Sequence, residues 1–377
     1  MKGCSLVFTG IYKMRTEKRK GLIIIILGII MSLLLGACAG PRAVSESDAA
    51  ASDAEKAAGE TMEPEMFPGD GERIVLKLAS TLSPEMVNLS ALSRFASDVY
   101  ESTSGRIDIQ IYDSSQLGDQ VDYINGIKNG TVEMCLVSTA ALEALDPHFV
   151  IFGMPGLFTT PEKVNRFYES SICRDILDRF REDTGIRSLG LFHDGIRNVW
   201  LKDTRIYRAE DFDGLRLRIP PAVEIRRREF QALGAEVIPI PLSECSVALQ
   251  SQYIDGLENN VETIVNSDIA GQLSYQVKTE HAYSTLLLLI NEEALMQIGE
   301  TDRNILTASA KKYSEIAFLE YLEGQTAAYK RAEQAGIAVI ELEEKEKKRI
   351  RDKMLDSTKE LLEGLFPEDF YETVRAL

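Results

Sequence analysis

The sequence predicts an α/β fold with two lobes, and three observations support this class. Strand and helix patterns alternate after residue 72 and begin with a βαβαβ run. Further strand patterns recur as far as residue 342, and the chain from Glu300 onward is mainly helical. Setting aside an N-terminal segment of 37 residues leaves 340 of the 377 residues, enough for one or two domains with a sizeable core.

Hydrophobic periodicity defines the elements, because a period of two marks strands and a period near 3.6 marks helices. In chain order, the βαβαβ run comprises a strand at 73–79, a helix capped by Ser83-Pro84-Glu85 that ends at Gly105, a strand at 106–112, a helix at 120–128 and a strand at 132–137. Later strands are predicted at 186–192, 215–219, 237–240, 284–290 and 336–342. The pattern predicts a mostly parallel sheet with helices on both faces, and two such sheets facing one another would leave a ligand cleft.

The N-terminal segment has the order of a secretory signal: basic residues 18–20, an apolar run from Leu22, and Leu35-Gly36-Ala37-Cys38. The last four residues resemble a bacterial lipobox. This predicts that residues 1–37 form a lipoprotein signal peptide and that Cys38 carries the lipid outside the cytoplasm. An uncut membrane anchor is the alternative, and Met14 is an alternative start. Residues 38–72 are poor in large apolar side chains and are predicted to form a flexible tether.

Charge and composition exclude several classes of function. The net charge is −17, and residues 1–37 hold six basic residues but only one acidic residue, so the remainder is more acidic still. Such a field repels nucleic acid and anionic lipid. The three histidines are far apart, which argues against a metal site. A disulfide among Cys135, Cys173 and Cys245 is one interpretation, but their odd number and spacing favour buried apolar residues in a fold that does not rely on disulfides.

The usual enzyme signatures are absent from the sequence. It contains no phosphate loop, no Gly-x-Ser-x-Gly elbow, no His-Glu-x-x-His motif and no dinucleotide-binding glycine motif after a strand. We therefore predict that the protein is not an enzyme and needs no cofactor.

Eight short motifs point instead to a family of binding proteins. In chain order they are Tyr112–Asp119, Gly130–Met134, Met154–Phe158, Gly195–Asn198, Asp213–Pro220, Leu233–Ala235, Pro241–Glu244 and Asp255–Asn259. Their collinear order over about residues 73–340 resembles the solute-binding proteins of tripartite ATP-independent periplasmic (TRAP) transporters. The resemblance implies a type II-like periplasmic-binding-protein fold with a ligand cleft between lobes and long helices toward the C-terminus.

The resemblance also implies a division of the chain. One lobe would comprise residues 73–195 with about 282–320, and the other would comprise 196–281 with about 321–377. The hinge would include the crossings near Gly195 and Glu280.

Arg218 is the leading candidate for ligand binding. Alternation in Leu215–Ile219 places it opposite the apolar face, at a strand end where a guanidinium can offer two parallel donors to a carboxylate. The alternative is an arginine paired with a neighbouring acid. The resemblance assigns Arg218 the role of carboxylate clamp, and implies contacts from Arg197 and Asn259.

Apolar and aromatic side chains complete the predicted pocket. The resemblance places Leu242 in its wall, although a core position is nearly as compatible with its sequence. Trp200 and Tyr253 could also cover a ligand face, although a lone aromatic residue usually belongs to the core or the rim.

The predicted ligand is a small organic acid anion: a C4-dicarboxylate, a 2-oxo acid or a sugar acid. The implied partners are the small and large membrane subunits of a TRAP permease that runs on an ion gradient, and the membrane through the N-terminal lipid. Two alternatives remain at this point, namely a binding lipoprotein of an ATP-driven importer and a secreted enzyme acting on sugar acids.

Overall fold

A computed structural model describes residues 73–377 of the chain. The predicted signal peptide, the lipidation site at Cys38 and the tether at 38–72 lie outside the described residues. Within 73–377, every helix is either too short or too polar to cross a membrane.

Nine strands are present in the described part of the chain. They are β1 (Ile74–Ser80), β2 (Ile107–Tyr112), β3 (Met134–Ser138), β4 (Ile186–Leu201), β5 (Arg216–Ile219), β6 (Glu236–Pro239), β7 (Gly256–Asn260), β8 (Tyr275–Asn291) and β9 (Ala338–Ile340). They form one sheet in the order β2-β1-β3-β8-β4-β7-β5-β6, with β9 paired to β8.

Twelve α-helices accompany these strands between residues 73 and 377. They are α1 (Val87–Ser102), α2 (Gln120–Lys128), α3 (Val150–Gly153), α4 (Pro161–Glu169), α5 (Ser171–Thr184), α6 (Glu224–Ala232), α7 (Cys245–Gln250), α8 (Val261–Val265), α9 (Glu292–Gln297), α10 (Glu300–Gln334), α11 (Glu344–Thr358) and α12 (Phe370–Arg375). The first lobe is built around β1–β3 and the second around β5–β7.

The predicted pair of mostly parallel sheets is wrong in one respect: a single mixed sheet runs through both lobes. Strands β4 and β8 are 16 and 17 residues long and pair antiparallel to each other. They join the parallel set β2-β1-β3 to the parallel set β7-β5-β6. The prediction identified only part of each long strand, because irregular pairing interrupts the alternation at the centre.

That irregularity coincides with the predicted crossing between lobes. The β4–β8 register shifts between His193 and Gly195 and again between Arg197 and Val199. Gly195 has φ +108° and Glu280 has φ +47°, conformations that a regular strand does not contain. Bulges of this kind bend a strand and re-aim its side chains. The two strands therefore change direction at the boundary between the lobes.

The start of α1 differs from the prediction. Ser83-Pro84-Glu85 does not cap the helix, which begins at Val87 after an N-cap residue, Met86, that makes no side-chain capping bond. The backbone N–H of Val87 instead donates to Oε1 of Glu262 at 2.8 Å. A carboxylate of the second lobe thus accepts a hydrogen bond from the first backbone N–H of a helix in the first lobe. A local sequence pattern cannot predict a contact between residues so far apart in the chain.

The hydrophobic core lies on both faces of the sheet, and α10 connects its parts. This 35-residue helix packs against α1 and β4, where Leu306 and Ala317 join the core cluster of the first lobe, whereas Ala328 and Ala332 join the cluster that contains Trp200. Cys135, Cys173 and Cys245 are buried free thiols, as predicted.

The boundaries of the lobes stay a prediction. The C-terminal segment returns to the first lobe, where the Tyr371 hydroxyl donates to the Pro155 carbonyl at 2.9 Å.

Candidate ligand-binding cavity

A cavity of about 100 Å³ lies between the lobes, at the carboxyl ends of the parallel strands. Thr81 follows β1 on its wall, Ser138 ends β3, and Pro220 follows β5. A bound water needs roughly 10–15 Å³ of such space, so the cavity has room for a small organic molecule. The four residues predicted from the sequence all line it: Arg197, Arg218, Leu242 and Asn259.

Arg218 presents free hydrogen-bond donors to this cavity. Its side chain is 3% exposed, and its Nε donates to the carbonyl of Ile240 at 2.8 Å. Neither Nη1 nor Nη2 has an acceptor among residues 73–377, and no described acidic side chain forms an ion pair with it. Burial lowers the pKa of Arg218 from its ordinary value because water is excluded. The alternative of an arginine paired with a neighbouring acid is therefore not seen in the described structure.

Arg197 also reaches the cavity, but its charge is already paired. Its Nε and Nη2 donate to the carboxylate of Glu258 at 2.5 and 2.8 Å, and His281 lies 3.3 Å from the same carboxylate. Burial alone would raise the pKa of Glu258, but the charge of Arg197 and the hydrogen bonds from His281 and Arg197 hold it well below its usual range. Only Nη1 of Arg197 remains, 3.4 Å from the Ser284 hydroxyl and 4.0 Å from Asp194.

Asn259 and Leu242 form different parts of the wall. The Oδ1 of Asn259 accepts from the backbone N–H of Asn260 at 2.9 Å, which leaves its amide nitrogen as the group available to a ligand. Leu242 begins a short 3₁₀ turn after Pro241 and presents apolar surface to the cavity.

Trp200 and Tyr253 do not line the cavity, and of the two interpretations open from the sequence the structure agrees with core and rim positions. Trp200 is fully buried in the core, and its indole N–H donates to the Asn259 carbonyl at 2.8 Å, so it supports the strand that carries Asn259. Tyr253 is 57% exposed and lies outside the cavity lining. A large aromatic residue in a sequence does not show by itself which side of a strand or turn it occupies.

Three charged residues of the lining were not among the predicted site residues: Asp119, Asp194 and Arg226. Asp194 immediately precedes the motif that contains Arg197, and Asp119 caps α2 through bonds from the backbone at 121 and 122. Arg226 belongs to an Arg-Arg-Arg-Glu run that is typical of a solvated helix. Within 73–377, no cluster of three or more His, Cys, Asp or Glu side chains is placed to hold a metal ion.

Contacts between the lobes surround the cavity. Oε2 of Glu143, in the first lobe, accepts from the backbone N–H of Ile225 at the start of α6 at 3.2 Å. Next to it, Nη1 of Arg226 donates to the Gly153 carbonyl at 3.3 Å. Together with the bond from Val87 to Glu262, these contacts join the two lobes beside the cavity.

Glu143 is expected to make stability fall as pH rises. Burial raises its pKa to about 8, so the folded protein holds a proton there that the unfolded chain releases near pH 4.3. Between these values the folded state binds more protons, and the free energy of unfolding therefore decreases with increasing pH. Glu143→Gln should match the wild type in melting temperature at pH 4 and exceed it at pH 8.5. The exposed Glu323→Gln is the control, and equal pH profiles for Glu143→Gln and the wild type would contradict this account.

Taken together, two lobes joined by a bent sheet, and a cavity between them with unpaired guanidinium donors, define a bilobal solute-binding protein. The chain belongs to the family described as bacterial extracellular solute-binding protein, family 7, whose profile matches residues 78–364.

Three relatives illustrate this membership. A solute-binding protein of Roseobacter denitrificans is 28% identical over 254 residues, which cover 67% of this chain and 77% of the relative. A TRAP solute-binding protein of Anaerococcus prevotii, solved with D-glucuronate, has TM-score 0.75 and 25% identity, covering 81% of this chain and 98% of that one. A TRAP solute-binding protein of Haemophilus influenzae, solved with L-gulonate, has TM-score 0.73 and 26% identity, covering 81% of this chain and 98% of that one.

These comparisons confirm the predicted two-lobed α/β fold and the resemblance to TRAP solute-binding proteins. The chain is a binding protein and not an enzyme. They give no support to the two alternatives, a component of an ATP-driven importer and a secreted enzyme.

Proposed function

We propose that the protein captures a sugar acid outside the cytoplasm by binding its carboxylate to Arg218. One observation carries the proposal: Arg218 is the only arginine of the cavity lining without a carboxylate partner in the described structure. Arg197 is paired with Glu258, and Arg226 is paired with Glu229. The two free Nη groups of Arg218 match the two oxygens of a carboxylate, and the bonds would be charge-assisted.

The remaining polar lining favours hydroxyl groups over a second carboxylate. Asp119 and Asp194 place acceptor oxygens on the cavity wall, where a hydroxyl can donate and another carboxylate would be repelled. Of the three predicted ligand classes, this supports a sugar acid over a C4-dicarboxylate. A 2-oxo acid without hydroxyl groups would also leave these two aspartates without a donor from the ligand. The glucuronate and gulonate bound to the relatives each combine one carboxylate with several hydroxyl groups.

The other predicted site residues take secondary roles in this proposal. Arg197 offers only Nη1 to the acidic end of the ligand, since Glu258 occupies the rest of its guanidinium. Asn259 donates from its amide nitrogen, and Leu242 packs against the carbon chain. Paired or neutral donors of this kind add orientation without adding net charge.

Delivery completes the proposed function. The lobes would open and close about the bulges at Gly195 and Glu280, between one lobe of residues 73–195 with about 282–320 and another of 196–281 with about 321–377. The end of the chain departs from this division, because Tyr371 contacts Pro155 of the first lobe. The closed protein would present its ligand to the small and large membrane subunits of a TRAP permease. Lipidation at Cys38 would keep it at the outer face of the membrane, and neither nucleic acid nor a cofactor takes part.

A ligand panel tests the proposal. The purified protein is heated with D-glucuronate, L-gulonate, succinate or pyruvate, and D-glucose serves as the uncharged control. A ligand present at a hundred times its Kd stabilises the folded state by about 2.7 kcal/mol, so a binding acid raises the melting temperature. We expect a rise with the two sugar acids only. A rise with succinate or pyruvate alone would contradict the proposed ligand class.

A further inference from the structure

We infer that Arg226 is a second ligand-contacting residue, which donates hydrogen bonds to a hydroxyl oxygen of the acid and so makes the site selective for hydroxylated ligands. This inference rests on the proposed function and extends it, because it assigns recognition of the carbon chain to a residue different from the one that binds the carboxylate.

The first step is the position of the side chain. Arg226 lies on α6, is 3% exposed and lines the cavity. It contacts Gly153 of the first lobe, whereas Arg218 contacts Ile240 of the second lobe. These different neighbours place the two guanidinium groups on different parts of the wall. A ligand whose carboxylate occupies Arg218 would therefore meet Arg226 with another of its atoms.

The second step is the set of donors that remain free. A guanidinium has five N–H donors, and the protein contacts of Arg226 use Nη1 alone. That atom donates to both carboxylate oxygens of Glu229, at 2.6 and 2.5 Å, and to the Gly153 carbonyl. Among the described residues, Nε and Nη2 have no acceptor. Both groups are therefore free to donate to an acceptor that a ligand supplies in the cavity.

The third step is the kind of acceptor. Glu229 lies against Arg226 and is itself fully buried, so the charge of the guanidinium is balanced within the protein. A second ligand carboxylate would find no net positive charge there and would be repelled by the carboxylate of Glu229. A neutral hydroxyl oxygen accepts the Nε and Nη2 bonds without that repulsion. Arg226 therefore fits a hydroxyl group and not a second anion.

The fourth step is rigidity. A Cβ atom added at Gly153 would lie 3.2 Å from Cγ2 of Ile225, so the first lobe and the start of α6 are in close contact. The Nη1 bonds fix the guanidinium on the same helix. Donors held in place before binding discriminate between ligands better than mobile ones.

The test uses calorimetry on the full protein with a series of aldonates. L-Gulonate has six carbons, and the shorter members have five, four and three carbons with the same configuration at the shared centres. Arg226→Lys keeps a charge opposite Glu229 but loses the paired donors. It should weaken L-gulonate binding by about ten- to a hundredfold, as expected for bonds from a charged donor. The loss should disappear in the members that lack the recognised hydroxyl.

Two controls keep the result interpretable. Arg227→Lys, on the exposed side of the same helix, should leave every affinity unchanged. If Arg226→Lys fails to fold, Arg226→Met combined with Glu229→Leu removes the buried pair together and should show the same selective loss. An equal loss across the whole series, or no loss, would overturn the role of Arg226. A wild-type protein that binds no member of the series and no uronate would instead overturn the proposed function.

Discussion

Replacing Arg218 by alanine is expected to weaken sugar-acid binding by about 2–5 kcal/mol, as truncation of one partner of a buried charge pair does. The size of the effect follows from the surroundings of the side chain. Arg218 is almost fully enclosed, and its two Nη groups have no acceptor within residues 73–377. Without it, the ligand carboxylate would be held between the lobes with no unpaired cation beside it. Calorimetric titration with D-glucuronate or L-gulonate measures the loss.

The same strand provides the matched control. Arg216 lies two residues earlier, is directed toward Asp255 and does not line the cavity. Arg216→Ala should leave the affinity unchanged. Arg218→Lys should bind poorly even though it keeps the charge, because a lysine cannot offer two parallel donors. If lysine restores full affinity, the site recognises a point charge; if alanine costs nothing, Arg218 does not bind the ligand.

Among the single substitutions proposed here, Glu258→Gln should cause the largest decrease in the free energy of unfolding. Glu258 is fully buried and receives two bonds from Arg197. Removing its charge leaves Arg197 buried without its main partner, which typically costs about 3–5 kcal/mol of unfolding free energy. Chemical denaturation measures this loss, provided that the slope of the unfolding free energy against denaturant concentration is the same in the variant and the wild type.

Two comparisons separate the buried pair from ordinary surface charge. Glu210→Gln removes an exposed partner of Arg349 and should have a much smaller effect. Replacing Arg197 and Glu258 together by methionine should recover most of the stability, because the penalty comes from the unpaired charge. A Glu258→Gln protein as stable as the wild type would show that the pair is not important for folding.

Much of the fold was predictable because its signals are local. The helix at 120–128 was predicted at its observed bounds, and Asp119 shows why: its side chain and that of Asp122 form a complete capping box. The start of α1 was not predictable, because its partner Glu262 lies 175 residues away. The single sheet was missed for a similar reason, since the continuity of β4 and β8 depends on pairing across bulges.

The site shows the same division. Arg218 could be predicted, because strand alternation and a recognisable motif agree on its position. Arg226 could not be predicted, because the run of charged residues around it is typical of a helix on the protein surface. Its neighbours Arg227 and Arg228 do form surface ion pairs with Glu224. Burial of Arg226 and Glu229 depends on tertiary packing of α6, against α11 and the strands of the second lobe and against Gly153.

A crystal structure of the protein with bound D-glucuronate tests the central claim most directly. The account predicts both carboxylate oxygens within about 3.2 Å of Nη1 and Nη2 of Arg218, in the cavity between the lobes. A carboxylate bound at another residue, with the guanidinium of Arg218 turned away from the ligand, would contradict it.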